Sequence, residues 1–139
     1  MYRIDHTIRL LKAAAVDKKE FINEATRPSA WTQFHCTQCG EANPLLITPY
    51  ESGFPILSLY DGTMPRLKQE ELLEHKALQH THQSMLHVGA LTVRNLPTLY
   101  FGTDCHKCNT PHICIFGYGE QQPGLEILEV SGVWQYAIR

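Results

Sequence analysis

The sequence predicts an α+β fold in a single domain of residues 1–139, in which an antiparallel β unit is joined by an N-terminal helix and an inserted helix. Apolar residues recur near helical spacing in residues 5–25 and 66–80. Large and polar side chains alternate near two Cys-x-x-Cys pairs, as in half-buried strands. A chain of 139 residues, 43% of them hydrophobic, is long enough to bury one core.

The N-terminal helix is expected from Asp5 to Ala25. Asp5 is a suitable N-cap, because its carboxylate can accept a free backbone N–H of the first turn. The apolar residues near helical spacing are Ile8, Leu11, Ala15 and Ile22. The segment 27–29, Arg-Pro-Ser, is expected to end this helix.

Short strands and a second helix are expected next. Residues 31–36 alternate between large and polar side chains, which predicts a strand leading into the first cysteine pair. The apolar runs 45–48 and 55–60 are separated by Glu-Ser-Gly and predict a hairpin-like pair. Pro65 suits the first turn of the inserted helix, which is expected over residues 66–80. The apolar residues of 81–94 fit neither the period of a helix nor that of a strand.

The last third of the chain predicts three strands. Residues 98–103 should enter the second cysteine pair, and residues 113–116 should leave it. The Gly-rich segment 117–124 is expected to be a long turn. Residues 125–138 then form the final strand, with a bend or bulge at Ser131 and Gly132.

The four cysteines of the two pairs predict a metal site. Cys36 and Cys39 form the first pair, and Cys105 and Cys108 form the second. Two residues between paired cysteines let one tight turn present both sulfurs on the same side, and four sulfurs suit tetrahedral Zn²⁺. Gly40 and Asn109 follow the pairs, and both residue types accept a positive φ.

These turns resemble the knuckles of zinc-ribbon and zinc-knuckle proteins over residues 34–40 and 102–109. The resemblance implies a structural zinc bound by all four cysteines. The 65 residues between Cys39 and Cys105 are a longer spacer than ribbons commonly have. Iron in a rubredoxin-like site would use the same sulfurs, but no proline stands inside either cysteine turn. A thioredoxin-like redox pair would need one such motif at the start of a helix.

Two other groups of residues could carry chemistry. The segment from His75 to His87 is rich in histidine and includes His80 and His82, yet it lacks the spacing of the helical zinc-protease motif. A solvated segment is favoured over a second metal site. Cys114 and His112 lie two apart on an expected strand, where a small core residue is favoured over a nucleophile and base.

Charge and cysteine content narrow the class of protein. The net charge is −2, and a zinc ion with four thiolates would add about two negative charges, which argues against a phosphate-binding surface. The odd cysteine count and the N-terminal residues favour a reducing cytoplasm without a signal peptide. No apolar run approaches the roughly 20 residues needed to cross a bilayer.

The favoured function is a non-enzymatic zinc-binding protein that binds another protein. Residues 117–139 resemble small bacterial proteins of the toxin-immunity kind, which implies a toxin as partner. The alternative is a nucleic-acid-associated zinc ribbon, whose basic face would combine Lys12, Lys18, Lys19 and Arg27 with Lys107 or Arg94. A third possibility is an enzyme that uses Cys114 or a histidine.

Overall fold

The structure, a computed structural model, describes residues 1–23 and 29–139. Strands form 49% of it and helices 12%, and the main sheet curls into a half barrel. The predicted α+β fold with an N-terminal helix and an inserted helix is therefore wrong. The single-domain assignment stays a prediction.

Ten strands and three short helices make up the described part of the chain. The helices are α1 (Leu57–Tyr60), α2 (Gln69–Glu74) and a 3-10 helix (Gln83–Val88). The main sheet has the strand order β4-β3-β1-β10-β9-β8-β5, with β2 also paired to β10, and β6 and β7 form a separate pair. The strands are β1 (Ile8–Val16), β2 (Glu20–Ile22), β3 (Ala30–His35), β4 (Ala42–Ile47), β5 (Phe54–Pro55), β6 (Gln79–His80), β7 (Leu91–Thr92), β8 (Thr98–Asp104), β9 (Pro111–Gln122) and β10 (Leu125–Ile138).

Strands β1 and β2 replace the predicted N-terminal helix. The side chains of Ile8 and Leu10 are buried on either side of exposed Arg9, which is the period of a strand. β1 pairs with β10 and then with β3, so tertiary pairing overrides the helix propensity of its alanines. The expected helix end at Ala25 and the segment 27–28 lie outside the described residues.

The inserted helix is also much shorter than predicted. It comprises only the six residues of α2, and Lys76 leaves the helical region with a φ of 57°. The predicted hairpin of residues 45–48 and 55–60 is wrong as well. Leu45 belongs to β4, which pairs with β3, whereas residues 57–60 form α1.

The strand expected before the first cysteine pair and the two strands expected around the second pair are confirmed. β3, β8 and β10 lie where the sequence predicts them, and a register shift between Val130 and Gly132 confirms the bulge. The long turn expected over residues 117–124 is wrong, because β9 continues to Gln122 and pairs with β10 throughout. The turn itself is tight and contains Gly124, which has a φ of 81°.

Both faces of the sheet are covered by apolar side chains. Ile113 and Ile115 of β9 face a cluster that includes α1 and α2, whereas Cys114 and Phe116 face a second cluster that includes β2, β3 and β4. Residues 112–118 of strand β9 are therefore all buried, as is typical of a central strand with two covered faces. The β3–β4 hairpin lies over the face of β8 and β9, which brings its turn to the β8–β9 turn.

Gly102 allows the N-terminal segment to cross β8. An ideal Cβ at this position would lie 2.4 Å from the Tyr2 ring. The ring cannot withdraw easily, because the backbones of Tyr2 and Gly102 exchange hydrogen bonds of 2.9 and 2.7 Å. We expect Gly102→Ala to lower the free energy of unfolding by about 1 to 3 kcal/mol in chemical denaturation, through overpacking. In a Tyr2→Ala background the same change should cost little, and an undiminished cost there would contradict this explanation.

Candidate metal centre

Each cysteine pair occupies the turn of a β-hairpin, and the two turns have the same backbone hydrogen bonds. In the β3–β4 turn, Gly40 N–H donates to the Cys36 carbonyl at 3.0 Å. In the β8–β9 turn, Asn109 N–H donates to the Cys105 carbonyl at 2.8 Å. Gly40 and Asn109 have φ values of 77° and 63°, so each chain reverses through a left-handed residue directly after its second cysteine.

The structure brings all four predicted cysteines together. Their sulfur atoms all lie within 4.8 Å of one another. Cys36 Sγ lies 3.5 Å from Cys108 Sγ, and Cys39 Sγ lies 3.6 Å from Cys105 Sγ. A tetrahedral ion with metal–sulfur bonds of about 2.3 Å requires sulfur–sulfur separations of about 3.8 Å. The cluster could therefore hold one metal ion with only small adjustments of the side chains.

One member of each pair is buried, and the thiols of Cys39 and Cys105 have different proton affinities. Burial opposes ionisation of Cys105, yet hydrogen bonds from the backbone of Cys108 and Lys107 and from the Asn43 amide lower its pKa to about 6. The Glu41 N–H favours ionisation of Cys39, but partial desolvation and the three neighbouring sulfurs outweigh it and raise the pKa of this exposed thiol to about 12. Because bound metal displaces thiol protons, Cys105 would release its proton to an incoming metal ion more readily than Cys39.

Asn43 of β4 joins the two cysteine turns from within the core. It is buried, and its Oδ1 atom accepts the backbone N–H of His106 at 2.8 Å. Its amide nitrogen donates to the Glu41 carbonyl at 2.9 Å and lies 3.5 Å from Cys105 Sγ. One side chain therefore holds the backbone of both turns and solvates a ligand sulfur.

His112 of β9 makes the reciprocal connection. Its Nδ1 atom lies 2.9 Å from the Thr110 carbonyl, which can only accept, so the proton resides on Nδ1. Its Nε2 atom then accepts the backbone N–H of Thr37 in the other turn, at 3.4 Å. Burial lowers the pKa of His112, and its ring packs against Phe34 with centroids 4.9 Å apart. The imidazole is therefore neutral and serves as a connector between the turns.

Asn43 and His112 occupy equivalent positions in the two hairpins. Each lies seven residues after the first cysteine of its own turn, and each accepts the N–H that follows the first cysteine of the opposite turn. The sequence analysis did not single out Asn43. The equal offset from Cys36 and Cys105 was a usable signal, but it identifies contacting residues only once the two hairpins are known to face each other.

The other candidate residues are placed apart from any second metal group. Across residues 1–23 and 29–139, the four cysteines are the one group of three or more potential ligands close enough to share an ion. His75 ends α2, His80 is exposed on β6, and His82 caps the 3-10 helix by accepting the Ser84 N–H. Cys114 is fully buried, and burial raises the pKa of its thiol, so the thiol is protonated at neutral pH.

Some of the basic residues named for a nucleic-acid surface have contacts within the protein. Lys12 lies on β1, and the Lys18 ammonium lies 4.7 Å from the centre of the Phe21 ring. Arg94 pairs with the carboxylates of Glu20 and Glu129. Arg27 lies outside the described residues.

Comparison with known proteins does not assign this chain to a family. No protein-family model matches the chain, and no curated protein or solved structure matches it. The likeness to zinc ribbons and to immunity proteins therefore depends on the residues of this chain alone. Within the described residues, none of the helices has the length and apolar character needed to cross a membrane.

Proposed function

We propose that this protein is a non-enzymatic, zinc-stabilised protein that acts by binding another protein. Four thiolates are a soft ligand set that suits Zn²⁺, and four sulfurs fill its tetrahedral coordination. A zinc ion without an open position has no bound water to activate, so its role would be to hold the two hairpin turns together.

A surface for the partner is provided by the outer face of the β3–β4 hairpin. Trp31 and Leu46 are directly opposite each other across the two strands, and their side chains are 59% and 51% exposed. Pro44 is also exposed on this face, beside Gln33. The exposed pair is the observation on which the proposal mainly depends, because tryptophan is enriched among residues that dominate binding energy at interfaces.

The rim of this surface is polar. Asp17 accepts a hydrogen bond from the Gln33 amide at 2.5 Å and lies 2.8 Å from His35 Nε2. An apolar centre with a polar rim is the usual anatomy of a protein interface. The hairpin that presents this surface is also held by the candidate metal centre, so zinc would keep the surface preorganised.

The partner class that we propose is a toxin, which the protein would occlude as an immunity protein does. The support is the resemblance of residues 117–139 to proteins of that kind, together with the slightly negative net charge. A toxin partner should arrest growth when it is produced alone, and co-production of this protein should restore growth. A partner that is harmless alone would contradict the immunity role.

Site-specific photocrosslinking tests the binding surface. We expect a photoreactive benzoylphenylalanine in place of Leu46 to form one dominant adduct with a protein in the native cells. The purified partner should bind the unmodified protein, and Trp31→Ser should weaken that binding at least about tenfold, as expected for a central interface tryptophan. Titration calorimetry with the purified partner would measure the change.

The matched control places the photoreactive residue at Met64, which is 90% exposed and outside the hairpin. It should not give the same adduct. Identical adducts at both positions, no adduct at position 46, or unchanged affinity of Trp31→Ser would overturn the proposed surface. An adduct that nucleases remove would favour the nucleic-acid alternative instead.

A further inference from the structure

A second candidate site lies where strand β10 passes from β2 to β1. Strand β2 pairs with residues 127–129 of β10, and β1 pairs with β10 from Val133 onward. A cavity of about 600 Å³ lies beside this gap, and none of its lining residues belongs to the metal centre. Small-molecule sites commonly have volumes of about 300 to 1,000 Å³. The lining comprises Lys19, residues 73 and 76–80 around the end of α2, residues 92–93 and residues 129–131.

A β-bulge forms one wall of this cavity. Ser131 is the extra residue of the bulge, because β10 shifts register against β9 between Val130 and Gly132. The Ser131 hydroxyl donates to the Ala77 carbonyl at 2.6 Å, which ties the bulge to the segment after α2. Four lining residues are both apolar and buried and give the cavity an apolar floor: Ala77, Leu78, Val93 and Val130.

Lys76 adopts a backbone conformation that glycine usually occupies. It follows α2 with a φ of 57°. The N–H groups of Lys76 and Ala77 donate to the carbonyls of residues 73 and 72 at 3.0 and 2.9 Å, which is a Schellman motif. Its left-handed position is usually glycine, because a Cβ there is strained. These bonds already cap the last carbonyls of α2, so the ammonium of Lys76 is not needed to cap them. A strained residue that lines a cavity is typical of a functional site.

The lining carries a surplus of positive charge. Within the described residues, neither Lys19 nor Lys76 forms an ion pair. Glu129 is the one carboxylate of the lining, and it lies 3.3 Å from Arg94, which also pairs with Glu20. These last three side chains together carry one net negative charge, so the two lysines leave the site about one charge positive. A ligand with one negative charge would therefore complement the cavity.

We propose that this cavity binds a small organic carboxylate with an aliphatic body. The carboxylate would lie between the ammonium groups of Lys19 and Lys76, and the aliphatic body would cover Leu78 and Val130. A monocarboxylate matches the single surplus charge, whereas a phosphate group with nearly two charges would exceed it. This site does not depend on the proposed protein partner.

A matched pair of probes tests the proposal on the whole zinc-loaded chain. Hexanoate and hexanamide have the same aliphatic body, but only hexanoate is charged at neutral pH. In a titration followed by amide NMR, both probes should shift the signals of Leu78 and Ser131. Hexanoate should bind about tenfold tighter, a difference of about 1.4 kcal/mol, and added salt should reduce this preference. Inorganic phosphate should bind more weakly than hexanoate, because it has no apolar body.

Lys76→Gly separates the role of the lysine from the stability of the fold. Glycine relieves the strain at this position, so the melting temperature should not fall. The preference for hexanoate should fall about threefold, as expected for the loss of one exposed ion pair. Lys19→Gln should reduce the preference to the same extent. As the control, Lys12→Gln removes an equal charge from an exposed residue of β1 outside the lining and should leave the preference unchanged.

The proposal fails if neither probe shifts these amides, if both probes bind equally to the unmodified protein, or if phosphate binds as tightly as hexanoate. It also fails if Lys19→Gln and Lys76→Gly retain the preference, or if Lys12→Gln reduces the preference as much as they do. A lower melting temperature of Lys76→Gly would contradict the argument from backbone strain.

Discussion

Replacing Cys105 with serine is expected to abolish metal binding and to remove most of the stability of the fold. Protein purified without added metal should contain one zinc ion per chain by native mass spectrometry and elemental analysis, and Cys105→Ser should contain none. A zinc ion bound by the four cysteines would connect two hairpins whose turns are 65 residues apart, and structural zinc contributes apparent free energies of about 10 to 16 kcal/mol in small peptides. We expect the free energy of unfolding to fall by more than about 4 kcal/mol in chemical denaturation.

Cys114 supplies the matched control for this experiment. It is as fully buried as Cys105, but it lies in the apolar cluster of Phe34 and Phe116 and outside the group of four. Cys114→Ser should retain one zinc and lose only about 1 to 3 kcal/mol, the cost of a buried hydroxyl without a good partner. Equal and mild losses at both positions, or iron in place of zinc, would contradict the structural zinc site.

Asn43→Leu should weaken zinc binding by about 10- to 100-fold without removing a ligand. This range is typical when a side chain that hydrogen-bonds a metal ligand is lost. The leucine keeps the approximate volume of the core but leaves the His106 N–H without its acceptor and Cys105 Sγ without the amide. Competition with a chromogenic zinc chelator would measure the affinity.

Gln38→Leu is the control for the Asn43 variant. Gln38 lies in the first cysteine turn, but its exposed side chain donates to Gln135 and not to a sulfur. Its replacement should change zinc affinity less than about threefold. If both variants weaken zinc binding equally, Asn43 has no special role and the loss reflects a general loosening of the turn.

The two turns that present the cysteines could be anticipated from local sequence. The spacing within each pair and the left-handed residue after it specify a turn that presents two sulfurs, whatever the rest of the chain does. The strands β3, β8 and β10 were likewise visible, because alternation of side chains is a local property. These features need no knowledge of distant residues.

The prediction of an N-terminal helix was wrong because the pairing of β1 depends on residues far away in the chain. Residues 5–25 contain good helix formers, but β1 pairs with β10 of the C-terminal hairpin, and Ile8 lies opposite Ile138. Pairing across nearly the whole chain leaves no trace in local periodicity. The prediction of the inserted helix was wrong for a similar reason. The apolar residues of 66–80 pack against one face of the sheet, although most of this segment is not helical.

The sequence by itself therefore determined which atoms could bind a metal and which turns present them. Only the tertiary structure decided that the two hairpins face each other and that Asn43 and His112 connect them. The physical reason is the separation along the chain of the residues that make each contact. Turn geometry and ligand spacing depend on a few adjacent residues, whereas strand partners and cavity walls depend on contacts between segments far apart in the chain.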